Sequence, residues 1–113
     1  MSALPGRGAF VWVDFTPQSG HEQARHRPAL VVSPRLHHER SKLAVVCPIT
    51  SNMQPWPWKV LLPEGLAVAG ALLVDQVRSI DHGARRLRLA GDAPQTVVAE
   101  VRAKLAALLG VGS

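Results

Sequence analysis

Arg27-Pro28-Ala29-Leu30-Val31-Val32 is an apolar, β-branched run entered through an arginine and a proline. The proline ring fixes its own φ and pushes Arg27 toward extended geometry, so residues 28–33 read as a strand whose entrance holds a guanidinium at a defined place. A planar fork of donors held there suits a phosphate. Ahead of it lies a polar loop, residues 16–26, with Gly20 as its pivot. Eleven residues is long for a hairpin, which marks the loop as a place for function. Beyond it, residues 43–49 form a second apolar strand ending in the polar cluster Thr50-Ser51-Asn52. If the two strands pair, these groups and Arg27 meet one ligand; the plainer alternative is an arginine in a structural ion pair and a threonine in a turn.

The rest of the chain supplies a sheet around these two strands. Residues 10–15 form a strand whose mixed apolar run asks for burial on both faces. Residues 34–40 suggest a helical turn. Residues 56–62 read as an edge strand, because Pro57 cannot donate to a ladder. Residues 71–75 are a further strand, and the alternation in 76–81 and 86–90 marks two half-buried antiparallel strands. Asp92, Pro94 and Gln95 fit a capping box that opens a helix over 93–109. Val97, Val98, Val101, Leu105, Leu108 and Leu109 share one stripe of it, and Gly110 stops it. Residues 1–7 read as the loose N-terminal arm of one domain that spans 1–113.

With 47% hydrophobic and 19% charged residues, the chain can build a core without staples. The lone Cys47 sits inside an apolar strand and reads as a small buried hydrophobe in a reducing compartment, not as a nucleophile. The weakly polar stretch 65–74 is too short and too rich in Gly and Ala to cross a bilayer, so a cytoplasmic protein without membrane contact is expected. A net charge of +5, carried by ten Arg against three Lys, leans toward phosphodiesters or an acidic protein partner. His37, His38 and His82 do not read as a metal site, since adjacent histidines point apart and no Cys or carboxylate set completes a tetrahedron.

Five blocks, Trp12-Val13-Asp14-Phe15-x-Pro17, Gly20-His21-Glu22-Gln23, Arg27-Pro28, Pro48-Ile49-Thr50-Ser51 and Asp75-Gln76-Val77-Arg78-Ser79-Ile80, together resemble the MazF (PemK/Kid) toxin family, in that order along nearly the whole chain. The resemblance implies a mainly β, α+β fold: a small, partly open antiparallel β-barrel of the MazF/Kid/CcdB type with a C-terminal helix. It implies a homodimeric endoribonuclease that needs no metal or other cofactor, cuts single-stranded RNA at short sequences and is silenced by a cognate acidic, MazE-like antitoxin. The family's catalytic arginine falls on Arg27 and its catalytic hydroxyl on Thr50. Attack of a ribose 2′-OH on its own phosphate needs stabilisation of a five-coordinate phosphorane, which Arg27 supplies, and orientation of the phosphate, which suits Thr50. His21 and Glu22 are the candidate acid and base, with His21 otherwise a loop residue that solvates the site or contacts sugar. Gln23, Arg25, Ser51, Asn52, Trp56, Asp75, Gln76 and Arg78 are the candidate RNA-binding residues. Asp75 either reads a base edge or pairs with Arg27 and holds it. One of Trp56 and Trp58, most readily Trp58, serves packing instead of stacking. Where the family often carries acidic residues the chain has Ala9 and Thr16, and it has Arg25 where glycine is frequent, so a relative's cleavage sequence does not transfer. Two other classes share the resemblance: a non-catalytic, CcdB-like gyrase inhibitor and a silent RNA-binding module.

Overall fold

The computed structural model describes residues 4–15 and 26–111. The elements are β1 (Ala9–Asp14), β2 (His26–Val31), α1 (Arg35–Arg40), β3 (Leu43–Thr50), β4 (Lys59–Leu61), β5 (Ala71–Leu73), a 3₁₀ turn (Val74–Gln76), β6 (Arg78–Asp81), β7 (Arg88–Asp92) and α2 (Gln95–Leu109). Seven strands form one antiparallel sheet in the order β4-β5-β3-β2-β1-β7, with β6 also paired to β3. The sheet is not closed: β4 and β7 stand at its two ends. The expected fold class holds, as an open sheet with a C-terminal helix.

The double-sided burial expected of β1 is present. Phe10 joins Leu30, Cys47, Ile49, Val60, Leu72 and Val74 in a core that Val97 and Val101 of α2 complete. Its neighbours Ala9, Val11 and Val13 point the other way, into a second cluster with Ala29, Val31, Val46 and Ile80. Alternation along an extended chain produces this division, and each fully buried Val or Leu contributes about 1.5–3 kcal/mol. Cys47 is fully buried, and burial pushes its thiol up to about 12.

Two prolines shape the middle of the sheet. Val32 N–H donates to Val45 O at 2.9 Å, so the odd-numbered peptides of β3 face β2 and the even-numbered ones face the opposite edge. Along that edge β5 pairs with Ile49 and Thr50, and β6 pairs with residues 43–46. Pro48 lies between them and offers no N–H there, and the Val74–Gln76 turn interrupts the edge at that point. This corrects the expectation of continuous strands at 71–75 and 76–81. Pro28 likewise lacks the donor that would extend the β2–β3 ladder, which ends at Ala29↔Pro48.

Several boundaries differ from the sequence reading: the edge strand expected over 56–62 is confined to Lys59–Leu61, and the strand expected over 86–90 runs Arg88–Asp92. The helix opens at Gln95 with Pro94 as N-cap and no side-chain cap, because Asp92 is still in β7, opposite Ala9, and Ala93 N–H donates to Gly8 O at 2.8 Å. The sheet takes the residues that a capping box would have used. Leu108 and Leu109 are exposed, so the helical stripe packs from Val97 through Leu105 and no further. Residues 4–7 are tied down rather than loose: Arg35 Nε donates to Leu4 O, His38 Nδ1 to Pro5 O, and Arg7 Nε to Val32 O.

Candidate active site

Thr50 ends β3 and pairs with Ala71. Its position depends on Gly70, whose φ of +129° is open to glycine, and where a Cβ would collide with the Thr50 carbonyl. The Thr50 Oγ1 accepts the N–H of Asn52 at 3.1 Å, and Asn52 Oδ1 accepts the N–H of Gln54 at 2.9 Å. Two successive side-chain turns thereby fold the chain back over the strand end. With a lone pair of Oγ1 committed to Asn52, the hydroxyl hydrogen remains available to a phosphate oxygen.

A cavity of about 410 Å³ opens beside Thr50, bounded by Asn52, Gln54, Trp56, Lys59, Asp75 and Gln76, with Pro55 and Leu73 filling its wall. Trp56 is half exposed, and its Nε1 donates to Asp75 Oδ2 at 3.0 Å. Asp75 is thus bonded to an indole rather than to Arg27, the second of the two roles offered for it, while the base-edge role is left open. Trp58 is partly buried, which agrees with a packing role. Lys59 reaches into the cavity from β4 and donates from Nζ to the carbonyls of Asn52 and Gln54, each at 2.8 Å.

Arg27 is exposed on β2, opposite Val13 of β1, and does not line this cavity. The β2–β3 register, Ala29↔Pro48, continued by two residues brings Arg27 level with Thr50. Alternation puts both on the face of Ala29, Val46 and Ile80, at one end of the sheet. Arg78, opposite Val46, shares that face, and its guanidinium lies 4.7 Å above the centre of the Phe15 ring. An aromatic platform thus fixes a second arginine at the same end. Ser51 turns elsewhere, into a separate, mostly apolar cavity of about 320 Å³ with Leu62, Leu66 and Val68. His21, Glu22, Gln23 and Arg25 lie outside the described residues.

Lys59 and Gln54 were not legible as site residues. Lys59 acts on carbonyl oxygens, which every residue possesses, so no pairing of residue types announces it. His38 and His82 serve packing. His38 is buried, donates from Nδ1 to Pro5 O at 2.7 Å and accepts from the Ser33 hydroxyl at Nε2 at 2.6 Å. Both ring nitrogens are thereby committed within the protein. Ser33 Oγ in turn accepts the Val45 N–H at 2.8 Å, and His82 Nε2 donates to the carbonyls of Ser41 and His38.

An open antiparallel sheet with a C-terminal helix, carrying a hydroxyl and arginines at one strand end beside a polar cavity, defines a small β-sheet protein with a cationic, hydrogen-bonding strand end. Residues 6–109 match the family described as PemK-like, MazF-like toxin of type II toxin-antitoxin system, and the chain belongs to that family. It is 36% identical over 107 residues to the endoribonuclease toxin MazF of Escherichia coli K12, covering 95% of this chain and 96% of that protein. It is 34% identical to the endoribonuclease PemK of Escherichia coli, over 91% of this chain and 80% of that one. Among solved structures, a MazE–MazF crystal structure from Deinococcus radiodurans superimposes with a TM-score of 0.93 at 45% identity, covering 98% of this chain and all of that one.

Proposed function

We propose that this chain is an endoribonuclease toxin that cuts single-stranded RNA at short sequences without a metal and is silenced by a cognate antitoxin. The observation that supports the reading is the strand-end geometry: the β2–β3 register, extended two residues past its last pair Ala29↔Pro48, sets Arg27 opposite Thr50, whose hydroxyl hydrogen is left free to donate beside an open cavity. Family membership supplies the chemistry this arrangement fits.

The ribose 2′-oxygen attacks the adjacent phosphorus, and the 5′-oxygen of the next nucleotide leaves. Arg27 stabilises the charge that builds on the non-bridging oxygens, where a fixed guanidinium is most effective. It is not the proton donor, because guanidinium stays charged far above neutral pH. Thr50 donates to a non-bridging oxygen and orients the phosphate for in-line attack. His21 and Glu22 are the candidates for moving the two protons. Trp56, Asn52, Asp75 and Gln76 line the space for a neighbouring base, and Gln23, Arg25 and Arg78 engage the strand's flanks.

The chain works as a homodimer in the cytoplasm, and its antitoxin is an acidic segment whose carboxylates compete with phosphates for the basic end of the sheet. No helix among the described residues is long and apolar enough to cross a membrane. The deciding experiment incubates antitoxin-free protein with a mixed-sequence fluorescent RNA in EDTA, beside Arg27→Ala. Cutting by the parent alone supports the reading; an intact RNA pool with the parent refutes it.

A further inference from the structure

We propose that Lys59 is a positioning residue for RNA cleavage, acting through the segment that carries Asn52 and Trp56; the inference rests on the nuclease reading above. Residues 51–58 leave the sheet at Thr50 and return to it at Lys59, with no strand pairing between. Hydrogen bonds hold this excursion along its length, where Trp56 Nε1 donates to Asp75, Lys104 Nζ donates to Pro57 O at 2.9 Å and Val74 N–H donates to Trp58 O at 3.0 Å, and at its two ends. At the Thr50 end, the hydroxyl and the Asn52 side chain hold the N–H groups of Asn52 and Gln54. At the other end, the Lys59 N–H donates to Trp56 O at 3.0 Å, and Lys59 Nζ donates to Asn52 O and Gln54 O.

Asn52 is thus gripped on both sides: its N–H by Thr50 and its carbonyl by Lys59. A charged donor bridging two carbonyls makes shorter, stronger contacts than neutral pairs. The stem of Lys59 starts on a strand, opposite Leu73, whose side chain lines the same cavity. The ammonium therefore transfers the rigidity of the β4–β5 pair to the peptide that orients the Thr50 hydroxyl. Lys59 is also the only cation among the described residues lining that cavity, where Asp75 is the only carboxylate. Trp56 and Lys59 border a second cleft of about 360 Å³ on their other side, with Met53, Leu61 and Glu100. Pro55, Trp56 and Lys59 are shared by both linings.

The clamp makes a distinct kinetic statement. Loss of orientation at Thr50 slows the chemical step, whereas loss of a distant cation weakens only encounter with RNA. Lys59→Met keeps the aliphatic stem and removes the ammonium; Lys59→Arg keeps a charged fork able to span two carbonyls. Single-turnover cleavage by Lys59→Met is expected to be slower by roughly tenfold at saturating RNA, at both low and high salt, with Lys59→Arg within about threefold of the parent. Amide exchange at Gln54 should quicken in Lys59→Met while the thermal midpoint stays close to the parent's, since the contacts lie at the surface. A Lys59→Met enzyme with the parent's saturated rate, or with a defect confined to KM that vanishes in high salt, overturns the clamp and leaves the nuclease reading standing. A parent that cuts no RNA overturns both.

Discussion

The indole N–H of Trp56 donates to Asp75 Oδ2 at 3.0 Å, joining the segment after β3 to the 3₁₀ turn between β5 and β6. One residue offers a flat aromatic surface and the other a carboxylate, and the bond fixes each by the other. Base stacking on an aromatic side chain contributes about 1–3 kcal/mol per base, so Trp56→Ala should weaken binding of an uncleavable RNA, 2′-O-methylated at the cut site, by roughly tenfold or more. Trp56→Phe keeps a ring but loses the tether, and a smaller loss is expected. Fluorescence anisotropy measures both. Equal affinities for parent and Trp56→Ala would remove the indole from the RNA surface.

Arg27 and Thr50 should separate in their response to conservative change. Arg27→Lys keeps the charge but loses the planar fork, and a drop in kcat on the order of 10²–10³ is expected, with KM changed far less. Thr50→Ser retains a hydroxyl and should stay within about tenfold of the parent, whereas Thr50→Val, which has none, should resemble Arg27→Lys. If Thr50→Val cleaves as fast as Thr50→Ser, the hydroxyl has no part in the reaction.

Much of the sheet was legible because burial on two faces writes itself into alternation, as in Phe10 against Val11 and Val13. Of the two prolines only Pro28 is legible in the sequence, as the strand entrance; that Pro48 faces the 3₁₀ turn depends on which edge of β3 its missing donor occupies. Asp92 was misread as a helix cap because local chemistry favours that role, while the pairing with Ala9 is set by a residue more than eighty positions away. At the site, Thr50, Asn52, Trp56, Asp75 and Gln76 were read individually and converge as a group. Lys59 escaped notice because its partners are backbone carbonyls, and the Trp56–Asp75 bond because Arg27 offered a more obvious partner for a carboxylate.

Gly70 ties stability to the site. At φ +129° an L-residue is strained, and a methyl group there would press on the Thr50 carbonyl. Gly70→Ala should therefore destabilise the protein by roughly 1–3 kcal/mol in denaturant unfolding and reduce cleavage only to the fraction that remains folded. As a control, Gly65→Ala has positive φ but open space around the new atom, so it isolates the backbone penalty. Comparable losses for the two variants would show that the contact with Thr50 carries no cost of its own.

His38 makes stability depend on pH. Burial, the largest influence, holds its imidazole below the ordinary value of 6.5, with the hydrogen bond to Pro5 O opposing and the nearby His82, His37 and Arg35 adding to the depression. The neutral ring matches its partners: Nδ1–H donates to Pro5 O, and bare Nε2 accepts from Ser33. A proton on Nε2 would reverse the bond, turning the Ser33 hydroxyl hydrogen away and leaving its oxygen to accept from both His38 and Val45, with a charge confined in a buried site. As pH falls, the unfolded chain takes up the proton first, so the stability held by the neutral ring is complete above about pH 6.5 and is lost through the interval between 6.5 and the lowered native value. The unfolding midpoint should accordingly fall between pH 7 and pH 5 in the parent. His38→Gln, which cannot titrate, should start from a lower midpoint at pH 7 and show a shallower decline. Parallel slopes for parent and variant across that range would assign the pH dependence to other groups.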